Sequence, residues 1–263
     1  IRGYLQEWRK ITTDKWILGL IKYGYCLELQ EIPKQRPPKL RTEKQDSITL
    51  LRKEAQELLE KQAIEEVPFR DRGKGVYSVY FLVPKQDLTM RPILDLRFLN
   101  RSIKTQHFKM TTLQGVIPLL REGDYLATLD LKDAYLHIPM CRAHRKYLRF
   151  VIDNTHYQFK VLAFGVKSAP RVFTKCLSAV SAHLRRQGLH VYPYLDDWLV
   201  RANSKTKCQR DVQTVITTLH KLGFSINDKK SSPYPEQEKV FLGATLNTKT
   251  AQAYPVQKRT DNI

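Results

Sequence analysis

Two adjacent carboxylates, Asp196 and Asp197, stand between the short apolar runs 191–195 and 198–200. Such runs are typical of strands, so the pattern predicts a tight hairpin with both acidic side chains at its tip. Two like charges in an apolar hairpin are destabilising through desolvation and repulsion unless a cation or water offsets them. The chain must therefore fold so that this tip meets solvent or a positive partner.

A third carboxylate, Asp130, comes at the end of a predicted strand over 125–131. Hard divalent ions such as Mg²⁺ bind carboxylate oxygens together with substrate phosphates, and two such ions roughly 3.5–4 Å apart stabilise the attacking and leaving oxygens of phosphoryl transfer. Three carboxylates from two strand ends suit that chemistry. The alternative is an exposed Asp-Asp turn with an unrelated Asp130, because acidic pairs are common in turns.

The charge of the chain indicates its partner. Its 263 residues include 45 Lys and Arg against 26 Asp and Glu, a net charge of +19. Since the excess is spread along the whole chain, it predicts binding to a polyanion such as nucleic acid, with solubility alone as the alternative. A hydrophobic content of 42% excludes a disordered chain, and the lack of long apolar runs argues against a membrane protein.

The cysteines and histidines predict no further site. The four cysteines are far apart and form no Cys-x-x-Cys pair, which favours reduced thiols in an intracellular protein over a disulfide or a zinc site. The seven histidines show no metal-ligand spacing. Because the sequence begins at Ile1, we interpret it as a piece of a longer polypeptide.

Periodicity predicts an α+β fold with helices against one face of a sheet. Ser168 is predicted to cap the clearest helix, and an extended connector over 33–40 ends at a boundary near Thr42. The predicted helices lie after Asp14, after Ser47, and over 113–120, 169–187 and 212–222; the predicted strands are 77–83, 92–96, 125–131, 147–152, 157–162, 191–195, 198–200 and 239–246.

The acidic hairpin also resembles a known motif. Tyr194-Leu195-Asp196-Asp197 is similar to the Tyr-x-Asp-Asp motif of reverse transcriptases. Five further segments resemble motifs of that family in the same order along the chain: 91–100, 129–135, 164–170, 222–230 and 241–243. The resemblance covers about residues 77 to 246. It implies a right-hand polymerase fold, with an antiparallel palm sheet packed on helices, fingers and a truncated thumb.

The same resemblance implies a division of the chain and a reaction. The expected parts are a leader and linker (1–41), fingers (42–104 and 138–168), palm (105–137 and 169–248) and the start of a thumb or connection (249–263). The expected reaction extends a primer with deoxynucleotides on an RNA or DNA template, using two Mg²⁺ or Mn²⁺ ions. Asp130, Asp196, Asp197 and the backbone carbonyl of Leu131 would bind metal. Lys230 would be the general acid, with Lys229 an open alternative.

The family motifs also imply residues that contact nucleotide, template and primer. Arg91 and, less firmly placed, Lys85 would meet the triphosphate, and the Tyr135 ring would exclude a 2′-hydroxyl and so select deoxynucleotides. Phe164 stands where some viral members carry a glutamine. The full nucleotide-binding set is Lys85, Arg91, Asp133, Ala134, Tyr135, Phe164 and Gly165. The template and primer set is Arg97, Pro170, Tyr194, Phe241, Leu242 and Gly243, where Arg97 could instead pair with Asp95.

Within the family, the segment 196–200 and the leader from Trp8 to Glu28 most resemble the DIRS and Ngaro tyrosine-recombinase retrotransposons. Ribonuclease H and recombinase modules would then lie elsewhere in the parent polyprotein. Two alternatives stay open. One is a catalytically inactive domain that binds nucleic acid or scaffolds a partner; the other is an RNA-dependent RNA polymerase, against which Tyr135 argues.

Overall fold

A computed structural model describes residues 1–39, 45–84 and 90–256. The helices are α1 Leu5–Ile11, α2 Lys15–Tyr23, α3 Gln45–Glu60, α4 Arg97–Ser102, α5 Leu113–Val116, α6 Arg142–Arg145, α7 Ala169–Arg186 and α8 Lys205–Lys221. The strands are β1 Ile64–Glu66, β2 Tyr80–Pro84, β3 Met90–Leu94, β4 Tyr125–Asp130, β5 Arg149–Ile152, β6 Thr155–Phe159, β7 His190–Tyr194, β8 Asp197–Ala202, β9 Ser232–Glu236, β10 Glu238–Phe241, β11 Ala244–Asn247 and β12 Gln252–Pro255. The boundary predicted near Thr42 lies outside the described residues.

An antiparallel sheet in the order β7-β8-β4-β9 forms the centre of the molecule. Leu129 pairs with Trp198 and Asp130 with Asp197 across β4 and β8. Strand β9 was not predicted because its sequence, Ser-Pro-Tyr-Pro-Glu, contains two prolines. Proline cannot donate to a sheet, and β9 accommodates both because it lies at the edge.

Alternation along the strands gives this sheet two different faces. Leu129 and Trp198 belong to the main hydrophobic core, which also contains the apolar faces of α7 and α8. Leu126 and Leu199 point the other way, into a smaller apolar cluster with Phe241. The predicted arrangement of helices on one face is therefore confirmed. On the face that carries the smaller cluster, Asp130 ends β4 and Asp197 begins β8.

Helix α7 forms as its apolar spacing predicts, and Gly188 follows it with φ of 82°. The predicted side-chain cap is wrong. Ser168 stands at the N-cap position but makes no capping hydrogen bond. Its hydroxyl instead accepts a hydrogen bond from the Tyr25 hydroxyl at 2.9 Å, which ties the N-terminal segment to α7.

The N-terminal segment is part of the core rather than a detached leader. Trp8 on α1 is fully buried, and its indole nitrogen donates to the Leu222 carbonyl at 3.1 Å. Helix α2 begins as predicted, because the Asp14 carboxylate accepts hydrogen bonds from the backbone nitrogens of Trp16 and Ile17. Gly24 then ends it with φ of 90°.

Three smaller sheets surround this core. Strands β2 and β3 form the predicted hairpin, whose tip lies outside the described residues. Strands β5 and β6 turn at Asp153 and Asn154, both with positive φ, and β1 adds to β6. The single strand predicted over 239–246 is wrong: Leu242 and Gly243, with φ of 49° and 76°, turn it into the hairpin β10-β11, which β12 extends.

One predicted strand and one predicted helix also end elsewhere. The strand predicted over 92–96 ends at Leu94 as β3, and α4 begins at Arg97. The helix predicted over 113–120 is only the one-turn α5 followed by a 3₁₀ turn over Ile117–Leu119. Pro118 lies in that turn, and proline's missing N–H and fixed ring disfavour a longer α-helix there.

The expectation of four reduced thiols is wrong for two of them. Cys26 and Cys141 are joined as a disulfide, with their Cα atoms 5.4 Å apart and a sequence separation of 115 positions. A backbone bridge between Tyr25 and Met140 brings the two segments together. Cys176 and Cys208 are free and buried. Sequence spacing could not reveal the pair because only tertiary packing joins it.

None of the helices in the described residues is both long enough and apolar enough to span a membrane.

Candidate active site

The acidic hairpin forms as predicted. Tyr194 ends β7 and pairs with Asp197, the first residue of β8, so Leu195 and Asp196 alone make the turn. Leu195 adopts φ of 53°, the left-handed conformation that two-residue hairpin turns need. The Asp196 carbonyl accepts a hydrogen bond from the Leu131 backbone nitrogen at 2.8 Å, which fixes the tip beside the end of β4.

The structure brings the three predicted carboxylates together at one end of the central sheet, where β4 ends and β8 begins. Asp130 is the direct cross-strand partner of Asp197, so their side chains leave the same face. Asp130 is buried, whereas Asp196 and Asp197 are partly exposed. The carboxylate oxygens of the three do not all approach within 4.8 Å of one another, as expected for like charges that repel.

The loop from Ser225 to Ser231 is hydrogen-bonded to Asp130 at this end of the sheet. The Asp130 carbonyl accepts from the Asn227 backbone nitrogen at 2.8 Å, and the Asp130 nitrogen donates to the Ser231 hydroxyl at 3.0 Å. The Asn227 side chain also lowers the pKa of the Asp130 carboxyl group, against the effect of burial. Sequence analysis missed Asn227 as a site residue, although it lies inside the motif segment 222–230.

The pKa values of two carboxyl groups record their crowding. Burial, followed by the charges of Asp196 and Asp130, raises the pKa of Asp197 to about 6. Burial and the Asp196 charge also raise the pKa of Asp130, while the Lys230 charge and the Asn227 hydrogen bond oppose that rise. A positive ion between these groups would favour their charged forms. The site is therefore electrostatically prepared to accept cations.

The oxygen atoms at this end of the sheet are suitable ligands for hard divalent ions. Three carboxylates supply oxygens, and the Leu131 carbonyl is adjacent in sequence to Asp130. Within residues 1–39, 45–84 and 90–256, no group donates a hydrogen bond to that carbonyl oxygen. Oxygen ligands of this kind are those that Mg²⁺ and Mn²⁺ prefer.

Lys230 is the lysine whose charge affects the pKa values of these carboxyl groups. Its charge lowers the pKa of both Asp130 and Asp197 against the effect of burial. The backbone nitrogen of Lys230 donates to the Asn227 carbonyl at 3.2 Å, so the loop that supports Asp130 also positions the lysine. Lys229 and Lys230 are both exposed, and neighbouring charge distinguishes them where sequence did not.

An aromatic cluster stands beside the carboxylates. Tyr135 lies in a 3₁₀ turn over Ala134–His137 that directly follows Asp133, which has φ of 52°. The Tyr135 ring centre is 5.0 Å from that of Phe164 and 5.6 Å from that of Phe173. Burial, with the Asp196 charge, raises the pKa of Tyr135 to about 12. Tyr135 therefore stays neutral and is held by packing.

Several predicted nucleotide contacts line one open cleft of about 510 Å³: Arg91, Asp133, Phe164 and Gly165. Lys61 also lines it, and its ammonium nitrogen lies 3.1 Å from the Asp133 carboxylate. Sequence analysis gave Lys61 no role, because it lies in the turn after α3, far from any motif. Ala134 is buried beneath the cleft residues, and the predicted contact Lys85 lies outside the described residues.

Comparison with known proteins identifies the family. Residues 83–246, more than half of the chain, match the family model described as reverse transcriptase (RNA-dependent DNA polymerase). The chain belongs to the reverse transcriptase family. The members of this family are RNA-directed DNA polymerases, and they generally use divalent metal ions.

Curated relatives support the same family. The chain is 24% identical over 181 residues to the Transposon Tf2-3 and Tf2-4 polyproteins of Schizosaccharomyces pombe, and the Tf2-7 polyprotein matches equally. These matches cover 69% of this chain but 13% of each relative, so the chain spans a small part of their length. The segment that matches the family model, 83–246, holds all three carboxylates.

Gly165 is fixed in the reverse transcriptase site by backbone conformation. Its φ is 89°, and a Cβ there would make only ordinary contacts, the nearest being 3.6 Å from the Leu94 carbonyl oxygen. Asn100 holds the turn: its amide nitrogen donates to the Gly165 carbonyl at 2.8 Å, and its side-chain oxygen accepts from the Lys167 nitrogen at 2.9 Å. Gly165 is thus needed for its left-handed conformation.

The predicted template and primer residues fall in three places. Arg97 forms the ion pair that was its alternative role, with its Nε 2.9 Å and Nη2 2.8 Å from the two Asp95 carboxylate oxygens. This pairing holds the pKa of Asp95 at about 2. Pro170 lies in the first turn of α7, six positions after Phe164 in the sequence.

Phe241, Leu242 and Gly243 lie close to Tyr194. Phe241 is buried in the smaller apolar cluster, against which both Tyr194 and Leu242 pack. The β10-β11 turn is thereby fixed next to the acidic hairpin, on the face of the sheet away from α7 and α8. Tyr194 and this turn therefore stand on one surface.

Proposed function

We propose that this chain is a polymerase domain that copies an RNA template into DNA by extending a primer with deoxynucleotides. The observation that carries the proposal is that Asp130 pairs directly with Asp197, beside Asp196, at one end of the central sheet. A chain with no chemistry to perform gains nothing from holding three carboxylates together, because their repulsion and desolvation are destabilising.

Asp130, Asp196, Asp197 and the Leu131 carbonyl are the groups that would hold two Mg²⁺ or Mn²⁺ ions. Bound there, such ions stabilise the attacking and leaving oxygens of phosphoryl transfer. The residues of the chain do the rest of the positioning. Asn227 and the Ser225–Ser231 loop hold Asp130 in place through both its backbone and its carboxyl group.

Basic residues would meet the charge of the nucleotide. Arg91 and Lys61 line the same open cleft as Asp133. Arg91 would bind phosphate oxygens, while Asp133 holds Lys61 at the cleft wall. Lys230 would give a proton to the departing pyrophosphate, because its charge lowers the pKa of both Asp130 and Asp197.

Tyr135 would select deoxynucleotides. Its ring is confined between Phe164 and Phe173 and therefore cannot move aside for a 2′-hydroxyl group. Phe164 is 55% exposed and presents an aromatic face to the cleft, so it can stack but cannot hydrogen-bond the sugar. The site would thus discriminate by shape.

We assign the sheets and helices to the parts of the chain that the family resemblance implies. The sheets β2-β3 and β1-β6-β5 fall in the segments 42–104 and 138–168, which we assign to the fingers. The central sheet, α7 and α8 fall in 105–137 and 169–248, the palm. Tyr194, Pro170 and the turn Phe241-Leu242-Gly243 would contact primer and template, and the segment from 249 begins as strand β12.

We further propose that the chain comes from a tyrosine-recombinase retrotransposon of the DIRS or Ngaro kind, with ribonuclease H and recombinase modules elsewhere in the polyprotein. The Asp197-Trp198 continuation and the leader support this assignment, and the leader is built into the core through Trp8. An open reading frame for a tyrosine recombinase in the flanking DNA is the expected finding; an integrase frame in its place would contradict the assignment. An intracellular location stays a prediction.

Primer extension tests the function. On poly(rA) annealed to oligo(dT), with Mg²⁺ or Mn²⁺, we expect incorporation of dTTP and little incorporation of UTP. An inactive scaffold would bind the duplex without extending it, and an RNA polymerase would prefer UTP. Binding is measured by fluorescence anisotropy in parallel, so that a failure to extend is separated from a failure to bind.

A further inference from the structure

A second group of metal-ligating side chains lies away from the carboxylates. Sγ of Cys26, Sγ of Cys141 and a ring nitrogen of His144 all lie within 4.8 Å of one another. Over the described parts of the chain this is the one such group of three or more His, Cys, Asp or Glu side chains. We propose that, in the reduced chain, these three side chains bind a Zn²⁺ ion.

The backbone builds this cluster rigidly. The Tyr25 nitrogen donates to the Pro139 carbonyl at 2.7 Å, and the Cys141 nitrogen donates to the Tyr25 carbonyl at 3.0 Å. Gly24 makes this approach possible, because a Cβ there would lie 2.5 Å from the Cys141 nitrogen. The two cysteines are therefore adjacent whatever their oxidation state.

His144 is oriented by the same turn. Its backbone nitrogen donates to the Cys141 carbonyl at 3.1 Å, and its ring packs edge-on against Tyr147, with ring centres 5.4 Å apart. The Nδ1 atom of His144 is buried and makes no hydrogen bond to any described residue. A buried ring nitrogen without a partner is costly, and a metal ion would satisfy it.

The chemistry of the ligands selects the metal. Two thiolates and one imidazole are soft to borderline donors, which suit Zn²⁺ and not Mg²⁺. Tetrahedral Zn²⁺ needs ligand atoms roughly 3.5–4 Å apart, within small side-chain movements of those present.

Cys26 is exposed, which leaves a fourth position open to water. Binding would form two Zn–S bonds as the two S–H groups lose their protons to solvent. In the oxidised chain, after two electrons and two protons pass to an oxidant such as O₂, the same two sulfurs form the disulfide. The ion would connect the N-terminal segment to the residues before α6, 115 positions further along the chain.

The test measures metal and not polymerase activity. The full chain is reduced with a phosphine, freed of phosphine under nitrogen, and titrated with Co²⁺ and then Zn²⁺. We expect one equivalent of Co²⁺ to give thiolate charge-transfer and tetrahedral d–d absorption, which Zn²⁺ abolishes. Zn²⁺ should also raise Tm by about 5 °C or more.

Variants assign the ligands. Cys26→Ser, at an exposed position, and His144→Gln should each lose the charge-transfer band or weaken Zn²⁺ binding at least about tenfold. Cys176→Ser is the matched control, because burial raises the pKa of that thiol to about 12 and α7 holds it away from the cluster. Asp196→Asn is the control for Zn²⁺ bound at the carboxylates.

Three results would overturn the proposal. They are no Co²⁺ band in the reduced wild-type chain, an undiminished band in Cys26→Ser, or loss of the band in Cys176→Ser with its fold intact by circular dichroism. Primer extension does not enter any of them, so the outcome is independent of the proposed polymerase activity.

Discussion

Asp130 and Asp197 are direct partners across β4 and β8, although 67 positions, the difference between their numbers, separate them in sequence. Their pairing places one carboxyl group where burial and the other acidic charges raise its pKa to about 6. Burial and repulsion of these carboxylates destabilise this end of the sheet, and bound metal ions would offset that destabilisation.

Asp196→Asn should abolish most primer extension. The substitution keeps the shape of the turn and removes one charge from the proposed metal ligands, so we expect the rate to fall about a thousandfold or more, equivalent to about 4 kcal/mol. Single-turnover primer extension measures it. Asp228→Asn, an exposed carboxylate in the supporting loop, is the control. Extension at the wild-type rate by Asp196→Asn would remove the pair from the mechanism.

Asp197→Asn should stabilise the metal-free chain at pH 7. Because the folded pKa of Asp197 is raised, the folded state holds its proton more tightly than the unfolded state. This contribution to stability is present below about pH 4 and is lost as the pH rises through about 6. Since the group is partly exposed, we expect a gain of about 1–2 kcal/mol in the free energy of unfolding.

Urea unfolding in the presence of a chelator, at pH 7 and pH 4, measures this effect. The gain should disappear at pH 4, where the wild-type carboxyl group is already protonated. A gain that is equal at both pH values would show that charge is not its cause.

Lys230→Ala should slow catalysis more than Lys229→Ala. If Lys230 protonates pyrophosphate, its loss should lower kcat about a hundredfold with little change in KM for the nucleotide. It should also raise the pKa of Asp197 further, which moves the acidic limb of the pH profile upward. Equal effects of the two substitutions would contradict the assignment to Lys230.

Tyr135→Val should relax sugar selection. Without the ring between Phe164 and Phe173, a 2′-hydroxyl fits, and the preference for dTTP over UTP should fall about tenfold or more. The ratio of kcat/KM values for the two nucleotides measures it. Tyr135→Phe keeps the ring and should keep the preference; if it does not, the hydroxyl rather than the ring is responsible.

Asp124→Asn should unfold the chain at a lower temperature. Asp124 and Arg201 form an ion pair with 2.6 Å between Oδ2 and Nη1, and both side chains are buried. The substitution leaves the guanidinium buried without its counter-charge, which should cost about 3–5 kcal/mol. Thermal unfolding should show a Tm lower by about 6–15 °C.

Asp153→Asn is the matched control for that prediction. Asp153 pairs with Arg52 at the surface, and asparagine tolerates the positive φ of this turn. The control should cost less than about 1 kcal/mol. If both substitutions cost the same, burial is not what makes the Asp124–Arg201 pair matter.

The positions of the three acidic residues in the fold were predictable from local patterns, whereas the roles given to them rest on the resemblance to reverse transcriptase motifs. Asp196 and Asp197 interrupt an apolar hairpin, and Asp130 ends an apolar strand; both patterns follow from period-two alternation. Their roles nevertheless remain predictions. Helix α2 was equally readable, because Asp14 caps it and Gly24 ends it within a few residues.

Residues that act through distant contacts were missed. Lys61 reaches Asp133 from the turn after α3, and Asn227 reaches Asp130 from the loop before β9. Strand β9 itself was hidden by two prolines that only an edge position permits. No short-range pattern contains these relationships.

By itself, the sequence determined the local elements, the excess of positive charge and the acidic hairpin, because each follows from neighbouring residues. Only the tertiary structure decided that Asp130 lies opposite Asp197, that Trp8 is part of the core, and that Cys26 meets Cys141. The physical reason is that contacts between distant segments depend on how whole faces of sheets and helices pack, and spacing along the chain does not encode that packing.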